Sequence, residues 1–220
     1  MFYDRADGGQ QLAARLSQYA GRKDVVVLGI PRGGVPVAFE VAQALNVPLD
    51  ILLVRKLGTP GQRELAMGAI ASGGVRILNE EVVHELGITE ADLAFAIKEQ
   101  QAELQRREQY FRGSRTAVSL EGKTVIVVDD GIATGSSMLA AIEALRALRP
   151  AKIVVATPVA PPQVKARMLE SADDFVVVHT PERFFAIGEF YQDFSQTEDS
   201  EVRELLRRAA GATAVAQGAA

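Results

Sequence analysis

The chain has 220 residues, 48% apolar and 24% charged, with a formal net charge of −4. That is enough for one domain with a full core. The acidic balance argues weakly against nonspecific nucleic-acid binding, which needs a basic face, so no nucleic-acid partner is expected. The absence of cysteine excludes disulfides, a thiol nucleophile and thiolate metal sites.

No apolar run approaches the roughly 18 residues of a membrane span, and Met1-Phe2-Tyr3-Asp4-Arg5 has no signal-peptide pattern. No membrane association and a cytoplasmic location are therefore expected. In chain order, Leu12, Leu16 and Tyr19 share one face of a short helix over 9–19, and Asp4 and Arg5 before it read as solvated charges. Asp24 to Ile30 is the first strand. It runs into Pro31-Arg32-Gly33-Gly34 and then a helix carrying Val37, Val41 and Leu45. Arg32, between a strand end and two glycines, is placed to meet an anion.

Leu49 to Val54 reads as the next strand, with Arg55 and Lys56 at its end. Gly58-Thr59-Pro60-Gly61-Gln62-Arg63-Glu64 reads as a mobile polar loop, with Arg63 and Glu64 as candidate lid residues. Gly68 to Ile70 and Val75 to Leu78 form a hairpin joined by Ala71-Ser72-Gly73-Gly74. Thr89 caps a long polar helix of about 22 residues, with Glu90 and Asp92 favourable in its first turn. Its stripe of Leu93, Ile97, Leu104 and Phe111 covers the core or meets another subunit, and the first is preferred.

The richest stretch follows. Val125 to Val128 is a β-branched run, expected of a strand buried on both faces. Asp129 and Asp130 end it. Gly131 to Ser137 is small and rich in donors, and Met138, Ile142 and Leu145 then fall at helical spacing. A loop entering a helix offers unpaired N–H groups and the positive end of the helix dipole, which suits phosphate. Gly131 and Gly135 allow close approach, while Thr134, Ser136 and Ser137 add hydroxyls. Two carboxylates beside such a loop suit the hydroxyls of a sugar diol. The pattern therefore suggests a sugar phosphate. Neither Gly-x-x-x-x-Gly-Lys-Ser/Thr nor Gly-x-Gly-x-x-Gly is present.

After that helix, Lys152 to Ala156 is a strand and Thr157 to Pro162 a stiff turn. A helix around 163–169 and a strand at Phe175 to Val178 complete an alternating β-α pattern, an α/β fold with a mostly parallel sheet. In Phe184-Phe185-Ala186-Ile187-Gly188-Glu189-Phe190-Tyr191-Gln192-Asp193-Phe194, five of eleven residues are aromatic. Such a stretch either closes a hydrophobic patch or walls a site for a planar base, with Asp193 as an acceptor. From Ala209 the composition predicts a frayed tail over 209–220.

Strand, two acids, small residues and Thr134-Gly135 resemble the PRPP-binding motif of the type I phosphoribosyltransferases. The resemblance implies that Asp129 and Asp130 hold the ribose 2- and 3-hydroxyls. Gly131, Ile132, Ala133, Thr134, Gly135 and Ser136 would wrap the 5-phosphate, and Arg32, Gly33 and Gly34 would hold pyrophosphate, often through an unusual peptide geometry. Arg55 and Lys56 would face the pyrophosphate. The catalytic group implied is Arg32, Arg55, Lys56, Asp129 and Asp130, with Mg²⁺ bridging pyrophosphate and ribose and no dedicated protein metal site.

The implied fold is Rossmann-like: a single domain over 1–208, with a helical insertion at 79–122 and a hood element at 180–195. Its first strand lies beside the strand of the PRPP motif. The implied partners are PRPP, pyrophosphate and an unidentified nitrogen acceptor, and a homodimer is compatible with the family. Ala133 stands where hypoxanthine–guanine enzymes carry Asp, which counts against a 6-oxopurine acceptor. Pro31-Arg32-Gly33-Gly34, Arg55-Lys56-Leu57-Gly58 and the 184–194 stretch are most similar to uncharacterised bacterial phosphoribosyltransferase-like proteins. A PRPP-binding regulator without catalysis and a phosphoribosyl-directed hydrolase remain the competing functions.

Overall fold

The computed structural model describes residues 1–60 and 62–218. Its centre is a five-stranded parallel sheet. The strands are β1 (Val25–Gly29), β2 (Leu49–Ile51), β6 (Thr124–Val128), β7 (Lys152–Val159) and β8 (Asp174–His179), in the order β2-β1-β6-β7-β8. All four pairings are parallel, and Val25–Gly29 lies in register with Thr124–Val128.

The β-branched runs explain this arrangement, because both faces of the sheet are covered. Val25, Val27, Ile126 and Val128 face a core shared with α1 (Arg5–Arg15), α2 (Gly34–Leu45) and α7 (Asp199–Gly218). Val26, Leu28, Val125 and Val127 face the other core, with α5 (Ser136–Ala147) and α6 (Pro162–Leu169). A strand apolar on both sides cannot sit at a solvated surface, so burial fixes these strands at the centre.

A second sheet is small and antiparallel, in the order β3 (Val54–Thr59), β4 (Gln62–Ala71), β5 (Val75–Leu78). It is followed by α3 (Glu80–Glu85) and α4 (Glu90–Arg112). The Thr89 hydroxyl accepts from Asp92 N, and the Asp92 carboxylate accepts from Thr89 N, a reciprocal cap that starts α4. Leu104 and Phe111 of α4 are buried in the core, whereas Phe95 is 72% exposed. At its far end Arg112 binds Asp50 at 2.8 Å, and both side chains are about nine-tenths covered.

Three expectations need correction. The apolar run at 49–54 is not one strand: β2 ends at Ile51, and Val54 begins the second sheet. Arg55 and Lys56 therefore lie inside an antiparallel strand, not at the end of a parallel one. Much of the stretch read as a mobile loop is strand: Gly58 and Thr59 end β3, and β4 begins at Gln62, which pairs with Thr59. Gly61 and the side chains of Arg63 and Glu64 lie outside the described residues. Finally, β7 continues through Thr157 and Pro158 to Val159. Proline is tolerated there because β6 has already ended opposite Ala156, and Pro158 has no partner in the register with β8. The last helix, α7, runs through Ala209 to Gly218.

Candidate active site

Strand order reverses between β1 and β6, so the loops that leave these strands open onto the same crevice. From β1 comes Pro31-Arg32-Gly33-Gly34, and from β6 comes Asp129 to Gly135. Ile30 N donates to Val128 O at 2.9 Å, which extends the pairing to the mouth of the crevice. The two loops then touch. A methyl group on Gly33 would overlap the Asp130 carboxylate, and one on Gly34 would lie 2.6 Å from Val128 O and 2.9 Å from the Asp129 Cα. The glycines at 33 and 34 are thus required for contact between the loops. The Pro31–Arg32 peptide bond is cis, and Arg32 is half-buried.

Asp129 and Asp130 differ in surroundings. Asp130 N donates to Asp129 Oδ1 at 2.9 Å, and Asp130 Oδ2 accepts from Arg5 Nε at 2.8 Å. Burial, followed by the neighbouring Asp130 charge, holds the Asp129 carboxyl well above the usual carboxylate range. Burial raises Asp130 as well, opposed by the hydrogen bond and charge of Arg5. The two neighbouring carboxyls thus sit in unequal surroundings, Asp130 tied to a guanidinium and Asp129 not.

The loop beyond them has a buried hinge and an open rim. Ile132 is buried, and its N–H donates to Val159 O at 3.0 Å. Gly131 packs so closely on Ile187 that a methyl group would overlap it. Gly135 has φ +80°, a left-handed conformation that favours glycine, and the tip of the flexible Met168 side chain lies beside it. Ala133, Thr134, Ser136 and Ser137 are exposed at the rim. Thr134 Oγ1 lies 3.4 Å from Ser136 Oγ, and Arg167 Nη1 donates to Thr134 O at 2.8 Å. The rim therefore gathers hydroxyls, the N-terminus of a twelve-residue helix and one guanidinium.

Arg55 and Lys56 are not brought into this crevice as a pair. Arg55 Nε donates to Gln100 Oε1 of α4 at 2.7 Å. Lys56 is exposed and lines a cleft of about 680 Å³ with Ser136, Leu139, Glu143 and Arg167.

Three residues at the crevice are absent from the expected site. Arg5 is one, and it is not the solvated charge expected: its side chain is only 13% exposed. Asp4, the other residue read as solvated, instead caps α1 by accepting from Asp7 N at 2.8 Å. Tyr191 is the second, buried with its hydroxyl donating to Asp130 O at 2.5 Å. Burial and the Asp130 charge push its phenol upward. Ile187, against Gly131, is the third. The 184–194 segment therefore closes a hydrophobic patch with Phe2 and Val159 and also packs on Gly131 after β6. Its Asp193 accepts from Ser195 N at 2.9 Å, and Phe185 is 83% exposed.

Among the described residues, no group of three or more His, Cys, Asp and Glu could hold a metal ion. Nor is any helix among them long and apolar enough to cross a membrane.

A family model for the phosphoribosyl transferase domain matches residues 2–194. A Mycobacterium tuberculosis protein, named provisionally as a phosphoribosyl transferase, is 50% identical over 209 residues. That match covers 95% of this chain and 47% of the other, so the chain spans about half the length of the curated relatives it matches. Among solved structures, the TT1426 protein of Thermus thermophilus is 38% identical with a TM-score of 0.83, covering 94% of this chain and 98% of that one. The AQ2163 protein of Aquifex aeolicus, 14% identical with a TM-score of 0.51, covers 92% and 82% and shares the fold.

Proposed function

Because the chain belongs to the phosphoribosyl transferase domain family, we propose that it transfers ribose 5-phosphate from PRPP to a nitrogen acceptor and releases pyrophosphate. The observation that carries this reading is the contact of Gly33 and Gly34 with Asp129 and Asp130 at the switch point. It supports a reading in which the 31–34 turn and the 129–136 loop act on one ligand.

In this reading Asp129 and Asp130 accept from the ribose hydroxyls. The N–H groups and hydroxyls of Gly131 to Ser136 hold the 5-phosphate. Arg32, Gly33 and Gly34 hold the pyrophosphate. The acceptor nitrogen attacks C1 as the C1–O bond to pyrophosphate breaks, and positive charge develops on the ribose ring. Carboxylates beneath the ring favour that charge, and cations around the leaving group favour its negative charge. Lys56, near Ser136, serves the phosphate side of the site.

The donor set fits a magnesium ion that arrives on the substrate. Such an ion would need hard oxygen ligands, which Asp129, Asp130 and the hydroxyls of Thr134 and Ser136 offer at the crevice. Bound in this way, the ion would neutralise charge on the leaving group. A cytoplasmic, nucleotide-linked role is part of the same proposal.

The test is a pyrophosphate-release screen of nucleobases and small amines with PRPP and Mg²⁺. Release that depends on one acceptor, and the matching ribonucleotide-type product by mass, supports the transferase. PRPP binding without release for any acceptor supports a sensor, and release with water alone supports a hydrolase.

A further inference from the structure

Arg5 stands at the start of α1, 125 residues from Asp130, yet it is held there on three sides. Its Nε donates to Asp130 Oδ2 at 2.8 Å, and its Nη1 donates to Ser195 O at 2.7 Å. Its guanidinium carbon lies 4.0 Å from the centre of the Phe194 ring. The side chains of Arg5 and Asp130 are 13% and 12% exposed. A planar guanidinium can stack on a ring and donate in two in-plane directions at once, which an ammonium cannot. This is a fixture, unlike the loose ion pairs of a surface.

Asp130 is fixed from its other sides too. Its backbone carbonyl accepts from Tyr191, and Gly33 presses on Oδ2, the same oxygen that Arg5 binds. Rotation of the carboxylate would cost both contacts. Arg5 takes one of the acceptor sites of Oδ2 and leaves others on the carboxylate for a sugar hydroxyl.

We infer that Arg5 is a positioning residue for the sugar: it locks the Asp130 carboxylate in the orientation that receives one ribose hydroxyl. The inference rests on the proposed diol role of Asp129 and Asp130 and adds a residue to it. The charged or titratable groups around the pair are Asp129 on the same loop, Tyr191 and Asp193 on the C-terminal segment, and Asp7 on α1. Arg5 is the cation bound to Asp130, and it opposes the effect of burial on that carboxyl. It also ties the chain's first helix and the 190–195 segment to the sugar loop, so two stretches far apart in sequence bear on one carboxylate.

The test compares parent, Arg5→Gln and Arg5→Lys by calorimetry with PRPP and Mg²⁺, ribose 5-phosphate, its 2-deoxy and 3-deoxy analogues, and pyrophosphate. Melting curves check that each variant is folded. Arg5→Gln should bind PRPP and ribose 5-phosphate about 10- to 100-fold more weakly, while pyrophosphate affinity changes less than about twofold. The parent's preference for ribose 5-phosphate over one deoxy analogue should shrink towards none. Arg5→Lys, which restores charge without stacking, should recover part of the loss.

Equal sugar affinity in parent and Arg5→Gln overturns the inference. So does an equal loss for sugar and pyrophosphate, which marks a merely structural residue. A parent that binds none of these ligands overturns the donor reading itself, a different result from either.

Discussion

Gly33 lies directly against the Asp130 carboxylate, with no room between them for a methyl group. The backbone at Gly33 has φ −60° and ψ −30°, a conformation open to any residue. Glycine is therefore needed here for space alone. Gly33→Ala should cost about 1–3 kcal/mol of stability through overpacking. It should also weaken PRPP binding at least about tenfold by displacing Asp130. Calorimetry and thermal melts of the purified variant check both, and unchanged PRPP affinity would separate the two loops functionally.

Asp129 carries a stability cost that depends on pH. Its carboxyl is raised in the fold by burial and by Asp130, so the folded chain holds this proton to higher pH than the unfolded chain does. Its contribution is then most favourable below the unfolded value, near pH 4, and is lost as pH rises through the folded one. Asp129→Asn keeps an oxygen for Asp130 N and removes the titration. Its melting temperature should exceed the parent's at pH 7, with a gap that closes towards pH 4. For a chain of this size each kcal/mol moves the midpoint about 2–4 °C. A gap that stays constant or widens on acidification would show that Asp129 is not raised in the fold.

The parallel sheet was legible because each of its central strands is a β-branched run, and such runs have few other places to go. The loop of the candidate site was legible for a related reason: Asp129 to Ser136 is contiguous, so its residue types can be read together without knowing the fold. Arg5 and Tyr191 carry no local mark. Arg5 in a first turn and Tyr191 among aromatics look ordinary, and each acquires its role from a contact far along the chain. The break at Leu52-Leu53 was hidden by its own apolarity. Both residues are buried, so hydrophobicity runs unbroken from one sheet into the other. Arg55 and Lys56 were misplaced as a result.

The pair Arg112–Asp50 should matter for stability alone. Asp50 also accepts from Val118 N at 3.1 Å, so its charge anchors the segment entering β6. Arg112→Met leaves that buried carboxylate without its cation and should cost about 3–5 kcal/mol. Urea unfolding should show a lower midpoint with an unchanged slope. A loss below about 1 kcal/mol would mean that the pair is solvated in solution.

Arg55 and Lys56 should separate by function. Lys56→Ala should weaken PRPP binding about tenfold, as expected for a lost contact to a charged phosphate. Arg55→Ala should chiefly loosen α4 through the lost bond to Gln100, with a smaller change in affinity. Calorimetry of the two variants side by side reads the difference. Equal effects on affinity would return the two cations to a shared role at the pyrophosphate.

The most direct measurement is a calorimetric titration of PRPP with Mg²⁺ into the parent and into the folded Asp129→Asn, Asp130→Asn double variant. Saturable binding by the parent, weakened about 100-fold or more in the variant while pyrophosphate still binds, is the predicted result. Equal PRPP affinity in both proteins, or no binding by the parent, would contradict the assignment of these two carboxylates to the ribose.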